Sequence, residues 1–240
     1  LKSGNVCILR GGKEAIRSNR KAAELMRLAL ERAGLPADCV SLVQDTSRET
    51  AGELMHLDGY VDVLIPRGGA GLIRAVAKEA SVPVIRTGEG VCHIYVDDEA
   101  DLDMGAKILY NAKCSRPSVC NAAECLLVQE DVAEAFLKKA VPLLDQHQVE
   151  LRCDERALAI LGDRAVPAAE SDWDAEYEDY ILAVRTVRDM EEAVAFINAH
   201  GTGHSEAIIT ANYFKAQRFL NEVDAAAVYV NASTRFTDGG

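Results

Sequence analysis

A cysteine in a short proline-containing segment is the residue of this chain best placed for covalent chemistry. Cys120 follows Pro117, with Arg116 four residues before it and Asn121 directly after it. A nearby cation and free backbone amides stabilise a thiolate, which is the nucleophilic form of cysteine. The alternative is a buried thiol that packs as a small apolar side chain. We therefore treat Cys120 as a candidate nucleophile.

Two glycine-rich segments, residues 68–71 and 88–90, each follow a short apolar stretch. Free amides at the start of a helix can bind a phosphate group, which makes Gly68 and Gly69 candidates for cofactor binding. Neither segment completes Gly-x-Gly-x-x-Gly, and the chain has no P-loop sequence. A tight turn between a strand and a helix is the alternative.

Basic residues follow the first apolar stretch of the chain. NAD enzymes often place an acidic residue there, against the ribose 2′-hydroxyl, whereas this sequence has Arg10 and Lys13. Two cations suit a 2′-phosphate and therefore favour NADP. Simple solvation of both side chains is the alternative.

The elements that must position these residues alternate between apolar stretches and amphipathic segments. This alternation predicts an α/β fold with a parallel sheet covered by helices. The predicted strands are 5–10, 40–43, 61–65, 82–85, 92–96, 124–128, 149–152, 205–210 and 226–231. The predicted helices are 18–33, 46–57, 72–80, 102–112, 132–144, 189–199 and 213–222.

Three further features complete this pattern. Thr46 and Glu49 have the spacing of a capping box that opens a helix. Residues 167–180 are acidic and turn-rich, which predicts a surface excursion. The break at residues 87–90 places a domain boundary there, so we predict two domains, 1–88 and 89–240.

Composition narrows the classes of function. The 240 residues carry a net charge of −12, which argues against binding to nucleic acid or to acidic membranes. No apolar run approaches the ~18 residues of a membrane span. Seven cysteines, an odd number without a Cys-x-x-Cys pair, indicate a reducing, cytoplasmic protein and predict no metal site. We interpret His93, His200 and His204 as structural or surface residues.

Five segments of the chain resemble one known enzyme family. They closely resemble the γ-glutamyl phosphate reductases, or glutamate-5-semialdehyde dehydrogenases, of the aldehyde dehydrogenase superfamily, and the resemblance runs end to end. The segments are 3–15, 65–69 (Ile-Pro-Arg-Gly-Gly), 92–97 (Cys-His-Ile-Tyr-Val-Asp), 116–124 (Arg-Pro-Ser-Val-Cys-Asn-Ala-Ala-Glu) and 224–240.

The resemblance implies an aldehyde dehydrogenase-like α/β fold, with residues 1–88 as a partial NADP-binding domain and 89–240 as the catalytic domain. It implies NADPH-dependent reduction of γ-glutamyl phosphate to glutamate 5-semialdehyde and phosphate, in proline biosynthesis. Cys120 is then the catalytic thiol that forms a thioacyl intermediate, and Glu176 falls where the superfamily holds the nicotinamide ribose. Hydrolytic relatives carry a Glu base at the domain junction, whereas residues 85–88 here read Ile-Arg-Thr-Gly.

The substrate and partners follow from the same resemblance. Arg235 is the first candidate for the substrate's α-carboxylate, because a loop after a parallel strand lies where such folds gather ligands. Arg116 is the second candidate and could instead serve the thiolate or the leaving phosphate. The further candidates for substrate binding are Asn121, Asn231, Ser233 and Thr234. We expect a homo-oligomer in the full-length protein and a glutamate 5-kinase as a possible pathway partner.

The resemblance also shows departures. Family members are longer than this chain, so we expect a protein truncated at both ends, with weak or no activity in isolation. Two alternatives stay open. One is a noncatalytic fragment of this fold, and the other is an ordinary NAD(P)-dependent aldehyde dehydrogenase.

Overall fold

The computed structural model of the protein describes residues 3–85 and 90–237. The chain divides into two compact units, Leu1–Thr87 and Gly88–Gly240. The predicted boundary fell at residue 88, and the functions assigned to the two domains stay predictions. The junction residues 86–89, which carry most of the second glycine segment and the expected loss of the Glu base, lie outside the described residues.

Unit 1 contains a small parallel sheet and three helices. Strand β1 pairs with β2 in parallel, with Cys7 opposite Val40 and Leu9 opposite Leu42. Arg27 of α1 donates to the Val40 carbonyl at 2.8 Å and so ties the long helix to the sheet. The elements are β1 (Cys7–Leu9), α1 (Ile16–Arg32), β2 (Val40–Leu42), α2 (Arg48–Leu54) and α3 (Ala70–Glu79).

Two predicted strands of unit 1 are wrong as strands. Residues 61–65 and 82–85 share a single parallel bridge, from Leu64 to Val84. Val63 is 41% exposed and Ile65 is 55% exposed. Apolar residues predict a strand because they pack on a sheet face, and here those side chains do not pack.

The start of α2 also differs from the prediction. The capping residue is Ser47, whose hydroxyl accepts from the Thr50 amide at 3.3 Å, and the helix begins at Arg48. The predicted cap, Thr46, would satisfy the Glu49 amide. Ser47, one residue further on, satisfies the Thr50 amide instead, so the helix begins one residue later.

Unit 2 is built on a seven-stranded sheet in the order β6-β5-β7-β4-β3-β8-β9, in which every neighbouring pair is parallel. The amino ends of the strands therefore lie along one edge. The strands are β3 (Cys92–Val96), β4 (Ala123–Gln129), β5 (Glu150–Cys153), β6 (Val166–Pro167), β7 (Ile181–Val187), β8 (Ser205–Ile209) and β9 (Ala227–Val230). The helices are α4 (Leu102–Cys114), α5 (Glu130–Leu144), α6 (Glu155–Leu161), α7 (Met190–His200) and α8 (Tyr213–Glu222).

Both faces of this sheet are buried. Along β4, Leu126 and Val128 pack in one core with α4 and α5, whereas Cys125 and Leu127 pack in a second core with α7 and α8. Burial on two faces explains the continuous apolar runs that the sequence shows at β3 and β4. The predicted α/β class with a parallel sheet is confirmed.

The elements β6, α6 and β7 were not among those predicted from the sequence. Strand β7 lies between β5 and β4, with Leu182, Ala183 and Val184 fully buried. Arg185 interrupts its apolar run, which lowers the strand signal of the segment. Residues 167–180 are not wholly a surface excursion, since Trp173 is 5% exposed and packs against Phe196.

No helix in the described parts of the chain is long and apolar enough to span a membrane.

A lysine joins the carboxyl end of β3 to α8. The Lys215 ammonium lies 3.0 Å from the fully buried Asp97 carboxylate and 3.2 Å from Glu99, and it also pairs with Asp98. The Thr210 hydroxyl donates to Asp97 at 2.7 Å. Lys215 therefore compensates a carboxylate that water does not reach.

We expect Lys215→Met to destabilise the protein by about 3 kcal/mol, because it leaves the buried Asp97 without its cation. Urea unfolding measures this loss, with the exposed Lys138→Met as the matched control that leaves stability unchanged. Lys215 also lowers the pKa of Asp98, so the contribution from its pair with Asp98 is present at neutral pH and is lost as the pH falls below about 4. Equal stability of the two variants at neutral pH would contradict this account.

Candidate active site

The candidate nucleophile lies on a turn that connects α4 to the amino end of β4. The Ala122 amide donates to the Val119 carbonyl at 2.9 Å and closes the turn around Cys120. The Cys92 thiol, at the start of β3, donates to the Cys120 carbonyl at 3.3 Å. All seven cysteines are in the described part of the chain, and Cys120 is the exposed one. The structure thus offers this thiol to solvent on a held backbone.

Gly90 approaches the same turn more closely than any other residue type would allow. A Cβ atom at position 90 would lie 1.5 Å from the Cys120 carbonyl oxygen and 2.8 Å from its Cα. Glycine is therefore required by the close packing of two backbones. In the sequence Gly90 is part of a glycine segment, and no local signal connects it with Cys120.

The Glu176 carboxylate also contacts Gly90. It accepts a hydrogen bond from the Gly90 amide at 2.9 Å. The structure thus places Glu176 next to the residue that packs on Cys120. The role of Glu176 toward a cofactor stays a prediction.

A short segment after β9 holds the residue next to the thiol. The Thr234 hydroxyl donates to the Asn121 carbonyl at 2.7 Å, and the Asn121 side-chain amide donates to the Thr237 carbonyl at 3.1 Å. Arg235 donates from Nε to the Ser115 hydroxyl at 3.4 Å, at the end of α4. Asn121 and Thr234 are buried, and their hydrogen bonds tie the turn to the segment after β9. Their part in substrate binding stays a prediction.

Asn231 and Ser233, two other residues predicted to bind the substrate, make no contact with Cys120 among the hydrogen bonds of the described residues. Asn231 bonds both backbone groups of Thr210, donating to the carbonyl at 2.8 Å and accepting from the amide at 3.0 Å. This places Asn231 at the carboxyl end of β8, away from the amino-end group around Cys120. Ser233 is buried, and its hydroxyl accepts from the Arg235 amide at 3.3 Å. Arg116 is exposed on the turn itself.

The position of this segment corrects the argument made for Arg235. A loop at the carboxyl ends of the strands was expected to gather the ligand. The chain instead runs from Asn231 at that edge back to Thr237, whose hydroxyl accepts from Ser205 at the amino end of β8 at 3.0 Å. Cys120, Gly90 and Glu176 all lie before the first residues of their strands, so the candidate site is at the amino edge.

A buried histidine–glutamate pair lies behind Cys92. The His93 amide donates to Glu206 at 2.6 Å, and its Nδ1 lies 3.1 Å from the same oxygen. Burial opposes a charged imidazole, but the Glu206 carboxylate raises the pKa of His93 to about 10. The predicted structural role of His93 agrees with its full burial.

Unit 1 holds four of the five candidate cofactor residues, namely Arg10, Lys13, Gly68 and Gly69. Arg10 donates from Nη2 to the Thr46 and Ser47 carbonyls, each at 2.9 Å, so its guanidinium also supports the start of α2. Lys13 is exposed. Gly69 is the residue before α3, and no side chain in the described residues caps that helix. Gly68 has a φ of +150°, which favours glycine.

Comparison with known proteins identifies the family. The aldehyde dehydrogenase family model matches residues 1–158 and 173–239. The chain belongs to the aldehyde dehydrogenase family. Members of this family use NAD(P).

Individual relatives agree with this assignment. γ-Glutamyl phosphate reductase of Clostridium perfringens (strain 13 / Type A) is 60% identical over 240 residues, which are 100% of this chain and 58% of that protein. The crystal structure of γ-glutamyl phosphate reductase from Thermotoga maritima is 48% identical with a TM-score of 0.94, over 100% of this chain and 57% of its own. The chain thus spans somewhat more than half the length of these relatives.

A more distant structure shares the fold alone. An acetylating aldehyde dehydrogenase from Geobacillus thermoglucosidasius is 21% identical with a TM-score of 0.75, over 95% of this chain and 59% of that one. The aldehyde dehydrogenase fold predicted from sequence is confirmed.

The contact between Gly90 and Cys120 gives a direct test. We expect Gly90→Ala to displace the Cys120 backbone and to change the alkylation rate of the Cys120 thiol by iodoacetamide at least fivefold, since misplacement of about 1 Å can cost 10²-fold in rate. Mass spectrometry of the peptide that contains Cys120 measures the rate. Gly52→Ala is the matched control, because a Cβ at Gly52 meets nothing within 4 Å. Equal rates in the two variants would show that the packing does not place the nucleophile.

Proposed function

We propose that the protein reduces γ-glutamyl phosphate to glutamate 5-semialdehyde and phosphate, with Cys120 as the nucleophile and NADPH as the reductant. The observation that carries the proposal is the exposed Cys120 thiol, held on its turn within the segment Arg-Pro-Ser-Val-Cys-Asn. The support from comparison is a relative named γ-glutamyl phosphate reductase at 60% identity over the whole of this chain.

The chemistry assigned to Cys120 has two steps. The thiolate attacks the acyl carbon of γ-glutamyl phosphate, so that a C–S bond forms, the C–O bond to phosphate breaks and phosphate leaves. NADPH, which Arg10, Lys13 and Glu176 would hold, would supply a hydride to the thioester carbon. The C–S bond would then break, so that the aldehyde leaves and the Cys120 thiolate is restored.

Residues around Cys120 perform separate parts of this reaction. Cys92, Gly90 and Thr234 hold the turn, through the contacts to Cys120 and Asn121 described above. The exposed Arg116 is assigned to the leaving phosphate, and Arg235 to the substrate α-carboxylate, because a guanidinium pairs with both groups bidentately. Asn231 and Ser233 are assigned supporting roles in the segment that carries Arg235.

The residues of unit 1 fit a phosphorylated cofactor. The uncapped start of α3 after Gly68 and Gly69 presents free amides, which suit a phosphate group. Arg10 and Lys13 supply the positive charge that NADP requires and NAD does not. In unit 2, Glu176 is assigned to the nicotinamide ribose. We further propose a cytoplasmic homo-oligomer that receives its substrate from a glutamate 5-kinase.

An assay in the oxidative direction tests the proposed reaction. Glutamate 5-semialdehyde, phosphate and NADP⁺ should yield NADPH in the presence of the full-length protein, and Cys120→Ala should reduce the rate at least 10³-fold because Cys120 is the assigned nucleophile. Cys39→Ala is the matched control and should keep the rate. NADPH formation that does not depend on phosphate would instead favour an ordinary aldehyde dehydrogenase.

Cofactor preference is best tested at Lys13. Because Arg10 also supports α2, its replacement would disturb local structure together with the cofactor contact. Lys13→Glu should lower the preference for NADPH over NADH by about threefold to tenfold, a size expected for an exposed and screened charge. The ratio of kcat/KM for the two cofactors measures this, with the exposed Lys78→Glu as control. An unchanged ratio would assign the preference elsewhere.

A further inference from the structure

A buried ion pair lies directly behind the turn that carries Cys120. Lys113, near the end of α4, and Glu124, in β4, are 0% and 1% exposed, and Lys113 Nζ lies 2.6 Å from Glu124 Oε2. Buried ion pairs often stabilise a fold no better than apolar residues of the same size. Stability alone therefore does not explain why two charges are buried at this place.

The other oxygen of Glu124 reaches the loop before β7. Glu124 Oε1 accepts from the Glu178 amide at 3.4 Å. Glu178 has a φ of +54°, in the left-handed region that a glutamate seldom adopts. Such a conformation costs of order 1 kcal/mol or more, so contacts around it must hold it in place.

Tyr177, the residue before Glu178, makes two contacts that help to hold this loop. Its ring lies 5.9 Å from the Lys113 ammonium, and its hydroxyl donates to Asp172 at 3.0 Å. Asp172 is in turn paired with Arg152 at 2.7 Å. Lys113 and Glu124 thus hold two consecutive residues of this loop, Tyr177 and Glu178.

The loop returns to the nucleophile and completes a ring. Glu176, two residues before Glu178, accepts from the Gly90 amide at 2.9 Å. Gly90 packs on the Cys120 carbonyl, and Cys120 precedes Glu124 by four residues on the same chain. Every link between Glu124 and Cys120 in this ring is a hydrogen bond, a backbone contact or a short stretch of chain.

We propose that Glu124, held by Lys113, is a positioning residue of the reductase: its contact with the Glu178 amide sets the loop that places Glu176 on Gly90 and thereby Gly90 on Cys120. This role rests on the proposed function for its effect on rate, but the structural ring can be tested without activity. Glu124 and Lys113 do not touch the reacting atoms.

The hydrogen bond from the Glu178 amide needs an acceptor oxygen at position 124 rather than a charge. Burial raises the pKa of Glu124 to about 7, even though the Lys113 ammonium acts in the opposite direction. A neutral residue with a carbonyl at the same place would also accept from Glu178. The proposal therefore depends on the acceptor at position 124 and does not require the charge itself.

Two double variants that differ in this acceptor test the proposal. Lys113→Met/Glu124→Gln removes both charges and keeps a carbonyl oxygen for the Glu178 amide. Lys113→Met/Glu124→Met has nearly the same shape without the acceptor. The readouts in the protein are hydrogen exchange at the Gly90 amide, kcat and KM for NADPH, and thermal unfolding.

We expect the Met/Met variant to exchange the Gly90 amide at least tenfold faster and to lose about 10- to 100-fold in kcat/KM, because misplacement of about 1 Å has costs of this order. The Met/Gln variant should stay within about threefold of the unaltered protein in both measurements. A purely structural role predicts that rate and exchange follow thermal stability in both variants.

The outcomes separate the two proposals. Equal Gly90 exchange in the two double variants would overturn the positioning role, whatever the activity. Faster exchange in the Met/Met variant, with no phosphate-dependent activity in the unaltered full-length protein, would overturn the proposed function and leave the ring established.

Discussion

The close contact between two backbones, at Gly90 and Cys120, is the constraint on which the candidate site depends. A reactive thiol must be exposed, and an exposed turn is ordinarily free to move. Here the turn packs against a residue without a side chain, and the Cys92 thiol and the Thr234 hydroxyl hold its carbonyl groups. Cys120 is therefore exposed while its backbone is held in place.

The sheet of unit 2 makes this contact possible. Strands β3 and β4 are neighbours, are parallel and are buried on both faces, so the residues that precede them meet at one edge. Gly90 precedes β3, Cys120 precedes β4, and Glu176 precedes β7, which is the other neighbour of β4. Buried charges, namely Lys113 with Glu124 and His93 with Glu206, lie behind the same edge.

Sequence reasoning could predict most elements of unit 2, because long amphipathic helices and continuous apolar strands give strong local signals. It failed for β7, where Arg185 interrupts the apolar run, and for residues 61–65, where an apolar run does not pack as a strand. In both places the tertiary environment overrides local preference.

The candidate site also has a part that the sequence predicts and a part that it does not. The motif around Cys120 is local and could be found in the sequence, whereas the contacts of Gly90, Glu176 and Thr234 with the turn join residues that are far apart in the chain. Asn231 was grouped with Arg235 by adjacency, yet its side chain is bonded to Thr210 at the opposite edge. The spacing of residues along the chain does not predict contacts between segments that are far apart in the sequence.

The central claim is that Cys120 carries the acyl group during the reaction. The most direct measurement is mass spectrometry of the protein after mixing with glutamate 5-semialdehyde and NADP⁺ in the absence of phosphate, followed by an acid quench. The account predicts an added γ-glutamyl group on the peptide that contains Cys120, which disappears when phosphate is supplied. NADPH formation with no acyl group on that peptide would contradict it.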